Sequence, residues 1–247
     1  MSWDWQFYCN DTATGEAVAG CFGPGGKEQT YLQWMLGAWG WTLSVSLLAL
    51  VLALVVGSMI GIARTAPNKW VVRFGEAWTE LFRNIPLLVQ VFLWYHVLPA
   101  LIPSLRDAVP PSVLVVFALG FFTSARIGEQ VKTGIKTLPT GQRYAGLAVG
   151  MTLPQTYRYV LLPMAYRIVI PPLTSESMNI VKNSAVAFAV SIPELAQFAQ
   201  QASEETSHFE EIFIPVTALY FISAFAINRI AKFIEARVRI PGQAGAK

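Results

Sequence analysis

Charged side chains are scarce in this sequence: only 13% of its 247 residues are Asp, Glu, Lys or Arg, against roughly 25% in an ordinary soluble domain. So few charges do not cover the surface of a soluble globule of this size. They suit a surface that faces lipid, and a hydrophobic content of 54% agrees. The net charge is only +3 and the basic residues form no single patch, which argues against nucleic-acid binding. Cysteine and histidine number two each, and no cluster of metal-ligating residues is visible, so neither a metal nor a cofactor is expected. The sequence has no Gly-x4-Gly-Lys-Ser/Thr phosphate loop, so any ATP hydrolysis belongs to another chain. It has no Ser/His/Asp constellation either, and no enzyme activity is expected of it. Together these absences leave a single membrane domain with no attached soluble domain.

The first residues do not read as a cleaved signal peptide, because Asp4 stands where positive charge is expected and no apolar core segment follows it. Residues 1–35 read instead as a polar, glycine-rich extracytoplasmic tail with a turn at Gly23-Pro24-Gly25-Gly26. Both cysteines, Cys9 and Cys21, fall there. An oxidising compartment permits a Cys9–Cys21 disulfide, and two free thiols are the alternative. Neither implies catalysis.

A helix needs about 20 apolar residues to cross the hydrocarbon core, and residues 36–240 supply about five such stretches. The first is Leu43–Ile62, the second Asn84–Leu105, and the third runs from Val113 into a charged end at Arg126 and Glu129. The fifth is Ile212–Asn228. The fourth, between Pro163 and Ile192, carries Pro171-Pro172, Glu176 and Lys182. Such groups are tolerated in a span only where other helices or a wet cavity shield them, so this segment is expected to be an interior helix, bent or broken. The fold class is therefore an all-α membrane protein.

Orientation follows from the basic residues, which concentrate on the cytoplasmic side of a membrane. Arg64, Lys69, Arg73 and Arg83 lie between the first two spans, and Arg126, Lys132, Lys136, Arg143, Arg158 and Arg167 between the third and fourth. Arg229, Lys232, Arg237, Arg239 and Lys247 follow the fifth. The opposite side has only Lys27 and Arg106, and the loop at Glu194–Glu211 is acidic. The N-terminus is expected outside and the C-terminus, with the short tail 241–247, in the cytoplasm.

The long cytoplasmic loop 141–163 reads GQRYAGLAVGMTLPQTYRYVLLP. Ala145-Gly146, Ala148 and Gly150 offer small side chains that another protein's backbone can approach closely. Thr152-Leu153-Pro154-Gln155 signals a new helix start, with Tyr157, Val160 and Leu161 spaced to pack one face. An amphipathic helix lying on the membrane surface is the simpler alternative.

The spacing of Tyr144-Ala145-Gly146, Gly150 and Val160-Leu161-Leu162-Pro163 resembles the EAA loop of ABC importer permeases, with Tyr144 where that pattern has glutamate and Gly146 where it has its second alanine. Glu80-Leu81-Phe82-Arg83-Asn84-Ile85-Pro86-Leu87-Leu88-Val89-Gln90 is similar to the start of the second span in permeases for polar amino acids. Without that likeness it reads as a helix end with Glu80 and Arg83 paired and Pro86 kinking the span. Arg126, Glu129 and Val181-Lys182-Asn183-Ser184 look most like the glutamate/aspartate branch.

The resemblance implies a permease subunit of the bacterial inner membrane, spanning it several times. Gln142, Tyr144, Ala145, Gly146, Gly150, Leu162 and Pro163 would form a coupling helix seated on an ATP-binding subunit dimer. A second permease chain, alike or identical, an extracytoplasmic substrate-binding protein and an amino-acid substrate complete the expected partners. Ionisable residues within a membrane are candidate sites: Glu129 for the substrate ammonium, Lys182 and Asn183 for its α-carboxylate, and Arg126 for a side-chain carboxylate. The alternative is that Arg126 and Glu129 neutralise each other at i, i+3, and that Lys182 pairs with Glu176 or reaches outward. A secondary transporter using the same charges as an ion relay is the rival function; it predicts an inverted internal repeat, which five spans do not divide into.

Overall fold

The computed structural model describes residues 3–22 and 29–238. The expected turn at Gly23-Pro24-Gly25-Gly26 and the tail 241–247 lie outside the described residues. Within them the chain is helical, with two isolated antiparallel bridges, Asn10–Ala17 and Asp11–Thr30, and no strand.

Helix α1 spans Tyr31–Ala63. It starts where Thr30 and Gln33 cap each other reciprocally, the Thr30 hydroxyl accepting the Gln33 N–H at 3.3 Å and the Gln33 side chain accepting the Thr30 N–H at 3.2 Å. Its partner α6, Pro111–Thr137, begins on a proline, whose missing N–H costs nothing in a first turn. Ala49, Ala53, Gly57 and Gly61 recur every fourth residue along α1 and are buried. Lipid tails are as apolar as the helices, so close packing holds such a pair together. The fit is tight: a Cβ on Gly57 would lie 2.7 Å from the Ile127 Cβ and 2.8 Å from the Ser124 carbonyl oxygen.

Between these two helices the segment expected as a basic loop forms α2, Lys69–Asn84. Its residues separate into three faces. Gly75 and Thr79 are buried, Trp70, Phe74 and Leu81 are exposed and apolar, and Lys69, Arg73, Glu76, Glu80 and Arg83 form a charged row. Glu80 and Arg83 make no ion pair among the described residues. The chain then breaks at Ile85-Pro86, and the helical run Leu87–Leu101 leaves at 103° to α2. It comprises α3 (Leu87–Phe92), a π turn (Leu93–Val97) and α4 (Leu98–Leu101), followed by the short α5, Pro103–Ala108. A break of this kind exposes carbonyls that need partners. Gln90, 3% exposed, supplies them, donating from Nε2 to the carbonyls of Phe82 at 2.8 Å and Ile85 at 3.0 Å.

Beyond α6 come α7 (Thr140–Ala148), α8 (Leu153–Thr156), a π turn (Tyr157–Leu161) and α9 (Leu162–Asn183). The fourth expected span is α-helical without a break as far as Asn183, with Pro171 and Pro172 on an exposed face and Ala165, Val169, Glu176, Ile180 and Val181 buried. It tightens into a 3-10 turn, Ser184–Val190, and stops at Ser191, whose φ of 56° is left-handed. The acidic loop expected next holds α10, Leu195–Thr206, before α11, Phe209–Val238. By length and composition α1, α6 and α11 are able to cross a membrane, and α2 with the run after it adds a fourth if counted as one bent span. α9 fails that count because of its prolines and charges.

The N-terminal residues pack on the α10–α11 corner. Cys9 and Cys21 are joined by a disulfide. The Tyr8 hydroxyl donates to the Glu211 carbonyl at 3.0 Å, and the Phe7 ring stacks on His208 with centroids 4.8 Å apart.

Candidate functional site

The loop between α6 and α9 is a pair of short helices locked end to end. Helix α7 ends in a Schellman motif: the Met151 N–H reaches the Gly146 carbonyl at 3.1 Å and the Gly150 N–H the Leu147 carbonyl at 3.0 Å. That closure needs a left-handed residue, and Gly150 has φ +84°. Helix α8 starts at Leu153 with a capping box between Thr152 and Gln155 and with Pro154 in its first turn, as the sequence predicts. From Leu153 the helical backbone runs through the π turn into α9 without interruption as far as Asn183. The segment is tied to the α1–α2 turn by the Tyr157 hydroxyl, which donates to the Thr65 carbonyl at 2.7 Å. A displacement of α7 and α8 thus has a stiff route into α9.

The surface of this segment is apolar at several positions. Tyr144 is 67% exposed, Val149 74% and Tyr159 63%. Ala145, Ala148, Gly150 and Pro163 are exposed as well, while Gln142 and Leu162 are half-buried. Gly146 departs from the expected small-residue surface, because it faces inward. A Cβ there would lie 2.7 Å from the Thr156 Cγ2, so glycine is what lets α7 fold back on α8.

The candidate substrate residues lie on α6 and α9. Arg126 and Glu129 do not pair with each other. Arg126 reaches Glu176 of α9 at 3.7 Å, and Gln130 donates to the same carboxylate at 3.3 Å. Glu129 accepts from Arg64, at the end of α1, at 2.6 Å and has Lys132 at 3.9 Å. The α6 charges are thus divided between two neighbouring helices. The Arg126 side chain remains 42% exposed, over the Phe122 ring. Lys182 is exposed with no carboxylate partner among the described residues, and Asn183 is half-buried. Asn183 is seven residues from Glu176, so it lies on the same face of α9 about 10 Å along the axis, whereas Lys182 lies on another. The roles of Arg64 and Glu176 as partners across 65 and 50 residues have no local sequence signal; Arg64 is marked only as the charge that ends the apolar run of α1.

Known proteins share this architecture. The family described as the binding-protein-dependent transport system inner membrane component matches residues 50–240. The chain is 38% identical to the glutamate/aspartate import permease protein GltJ of Escherichia coli strain K12, over 100% of this chain and 99% of that one. It is 30% identical to the glutamate transport system permease protein GluD of Corynebacterium glutamicum, over 92% and 83% of the two chains. A crystal structure of an amino acid ABC transporter with histidines superposes with a TM-score of 0.71 at 26% identity, covering 84% of this chain and 95% of that one. The chain belongs to the family of binding-protein-dependent transport system inner membrane components.

Proposed function

We propose that this chain is the permease subunit of an ATP-driven importer for acidic amino acids, forming half of the translocation pathway. The observation that carries the coupling role is the α7–α8 segment, which is capped at its internal joint, exposes apolar side chains and continues into α9. Gln142, Tyr144, Ala145, Gly146, Gly150, Leu162 and Pro163 belong to this lever, of which Tyr144, Ala145, Gly150 and Pro163 face outward. Its partner is a dimer of ATP-binding subunits. The full-length similarity to GltJ supports glutamate or aspartate as the substrate class.

In this reading α1, the run Leu87–Leu101, α6, α9 and α11 are the five spans, with the N-terminus outside. Residues 1–35 form the outer segment, 36–240 the pathway and 241–247 the inner tail. The N-terminal residues and α10 face an extracytoplasmic binding protein, and a second permease chain completes the channel. Asn183 holds the α-carboxylate and Arg126 the side-chain carboxylate, and Lys182, on another face of α9, reaches the α-carboxylate only by bending its long side chain round the helix. The ammonium falls to an acidic group of the same layer, Glu129 or Glu176, and only Glu176 already shares Arg126. A zwitterion with an extra carboxylate can replace that internal pair with two of its own.

Uptake of labelled glutamate by proteoliposomes holding the permease, ATPase and binding protein tests the assignment. ATP-dependent uptake, lost together with ATPase co-purification in Gly150→Arg, is expected. Uptake without the ATPase, or a Gly150→Arg chain that still retains it, overturns the reading. Arg126→Ala with normal uptake and selectivity removes Arg126 from the site.

A further inference from the structure

Two cavities meet at the inner end of α1, and their chemistry is complementary. The first, about 380 Å³, is lined by Arg64, Lys136 and Arg143 from three different elements, with Thr140 at the start of α7. Arg64 is 8% exposed, and its Nε is buried with no hydrogen-bond partner although the other end of the guanidinium holds Glu129. Neither Lys136 nor Arg143 has a carboxylate partner among the described residues. The first turn of α7 adds free backbone N–H groups, since Pro139 provides no side-chain cap and no acidic residue follows it. The cavity thus holds two cations, Lys136 and Arg143, that no carboxylate offsets among the described residues.

The second cavity, about 510 Å³, is almost wholly apolar, with Met59, Ile62, Val71 and Leu162 along its wall. Ala66 and Tyr157 line both cavities, so the apolar groove opens directly beside the cationic pocket. A free phosphate would use only the first. An amphiphile uses both.

We infer that the two adjoining cavities bind one anionic phospholipid, its headgroup phosphate among Arg64, Lys136 and Arg143 and an acyl chain along Met59, Ile62 and Leu162. This goes beyond the importer assignment and takes from it only the cytoplasmic position of α7, where basic residues meet anionic headgroups. The lipid would sit on the seam where Tyr157 ties the coupling segment to the α1–α2 turn, and so touch both sides of it.

Native mass spectrometry of the assembled permease–ATPase complex in detergent tests the site, titrating phosphatidylglycerol, phosphatidylcholine, glycerol phosphate and inorganic phosphate. Phosphatidylglycerol is expected to bind the wild type and to bind Lys136→Gln/Arg143→Gln about thirtyfold more weakly, from two lost cations near the membrane surface. Met59→Trp, which obstructs the apolar groove and lies outside the cationic pocket, should weaken the lipid at least tenfold without changing glycerol phosphate. Equal binding of phosphatidylcholine and phosphatidylglycerol overturns the proposal. So does phosphate or glycerol phosphate binding as tightly as the lipid, which would mark a soluble-anion site. A wild-type complex that holds no lipid overturns it too, and would leave the pocket to an acidic side chain of the ATPase. Retention of the ATPase by the wild type is read in the same spectra and reports separately on the importer assignment.

Discussion

The hydroxyl of Tyr220 in α11 donates to the carboxylate of Glu194 at 2.6 Å, at a point where Glu194 is 1% exposed. The same carboxylate caps α10 by accepting the Gln197 N–H at 2.9 Å, and Thr42 of α1 lies within 3.4 Å while its own oxygen accepts the Leu195 N–H at 3.1 Å. Three helices therefore converge on one buried acid. Glu194→Ala removes a cap, at a cost of about 1 kcal/mol, and orphans the half-buried Tyr220 hydroxyl, at about 1–3 kcal/mol. Tyr220→Phe leaves the cap but takes a donor from the buried carboxylate, at about 1–3 kcal/mol. Thermal unfolding in detergent should place Glu194→Ala about 1 kcal/mol below Tyr220→Phe, the difference being the cap, and equal losses would show that the cap carries nothing.

The α1–α6 crossing gives a sharper contrast between two glycines of one helix. A Cβ on Gly57 meets Ile127 and Ser124, whereas one on Gly37 meets nothing within 4 Å. Gly57→Ala should destabilise by about 1–3 kcal/mol through overpacking. Gly37→Ala should be neutral or stabilising by up to about 1 kcal/mol, because alanine suits a helix interior better than glycine. Opposite signs in the same unfolding assay are the expected result.

How far the sequence revealed this structure depended on whether a signal was local. The uncharged runs of α1 and α11 announce themselves, and the Thr152–Gln155 start and Gly150 joint are legible residue by residue. Helix α2 was hidden by its charge density, although Trp70, Phe74, Trp78 and Leu81 keep a helical period opposite Lys69, Arg73, Glu76 and Glu80. Helix α10 was masked in the same way: its acidic residues suggested a loop, yet Leu195, Phe198, Ala199 and Ala202 mark the buried face. The pairing of Arg64 with Glu129 and of Arg126 with Glu176 is tertiary, and the i, i+3 proximity of Arg126 and Glu129 pointed to the wrong partner.

Gly146 shows a departure from the family pattern explained by a contact. Restoring the alanine in Gly146→Ala pushes a methyl against Thr156, which is buried. The cost should be about 1–3 kcal/mol. In Thr156→Ala the obstructing Cγ2 and hydroxyl are gone, so adding Gly146→Ala to it should cost little. A double-mutant cycle by thermal unfolding would then give a coupling of about 1 kcal/mol or more; additive losses would mean that α7 moves aside instead.

The N-terminal segment has its own pH response, through Asp11. The backbone N–H groups of Thr14 and Ala13 donate to its Oδ1 at 2.8 and 2.9 Å, and they hold its carboxyl below the usual carboxylate range, Thr14 contributing most. Because the folded value is depressed, the folded segment is favoured while the carboxylate is ionised. That contribution is complete above the ordinary value of about 3.9 and is lost as pH falls through the lower folded value. Asp11→Asn keeps an acceptor in the turn but has no charge to lose. Pepsin cleavage within residues 3–22, compared between wild type and Asp11→Asn at each pH with the Cys9–Cys21 disulfide intact, cancels the protease's own pH dependence. The wild type should resist cleavage better than Asp11→Asn above about pH 4 and lose that advantage progressively below it. A constant ratio across the range would mean that the turn is held by its backbone bonds alone, with no contribution from the charge on Asp11.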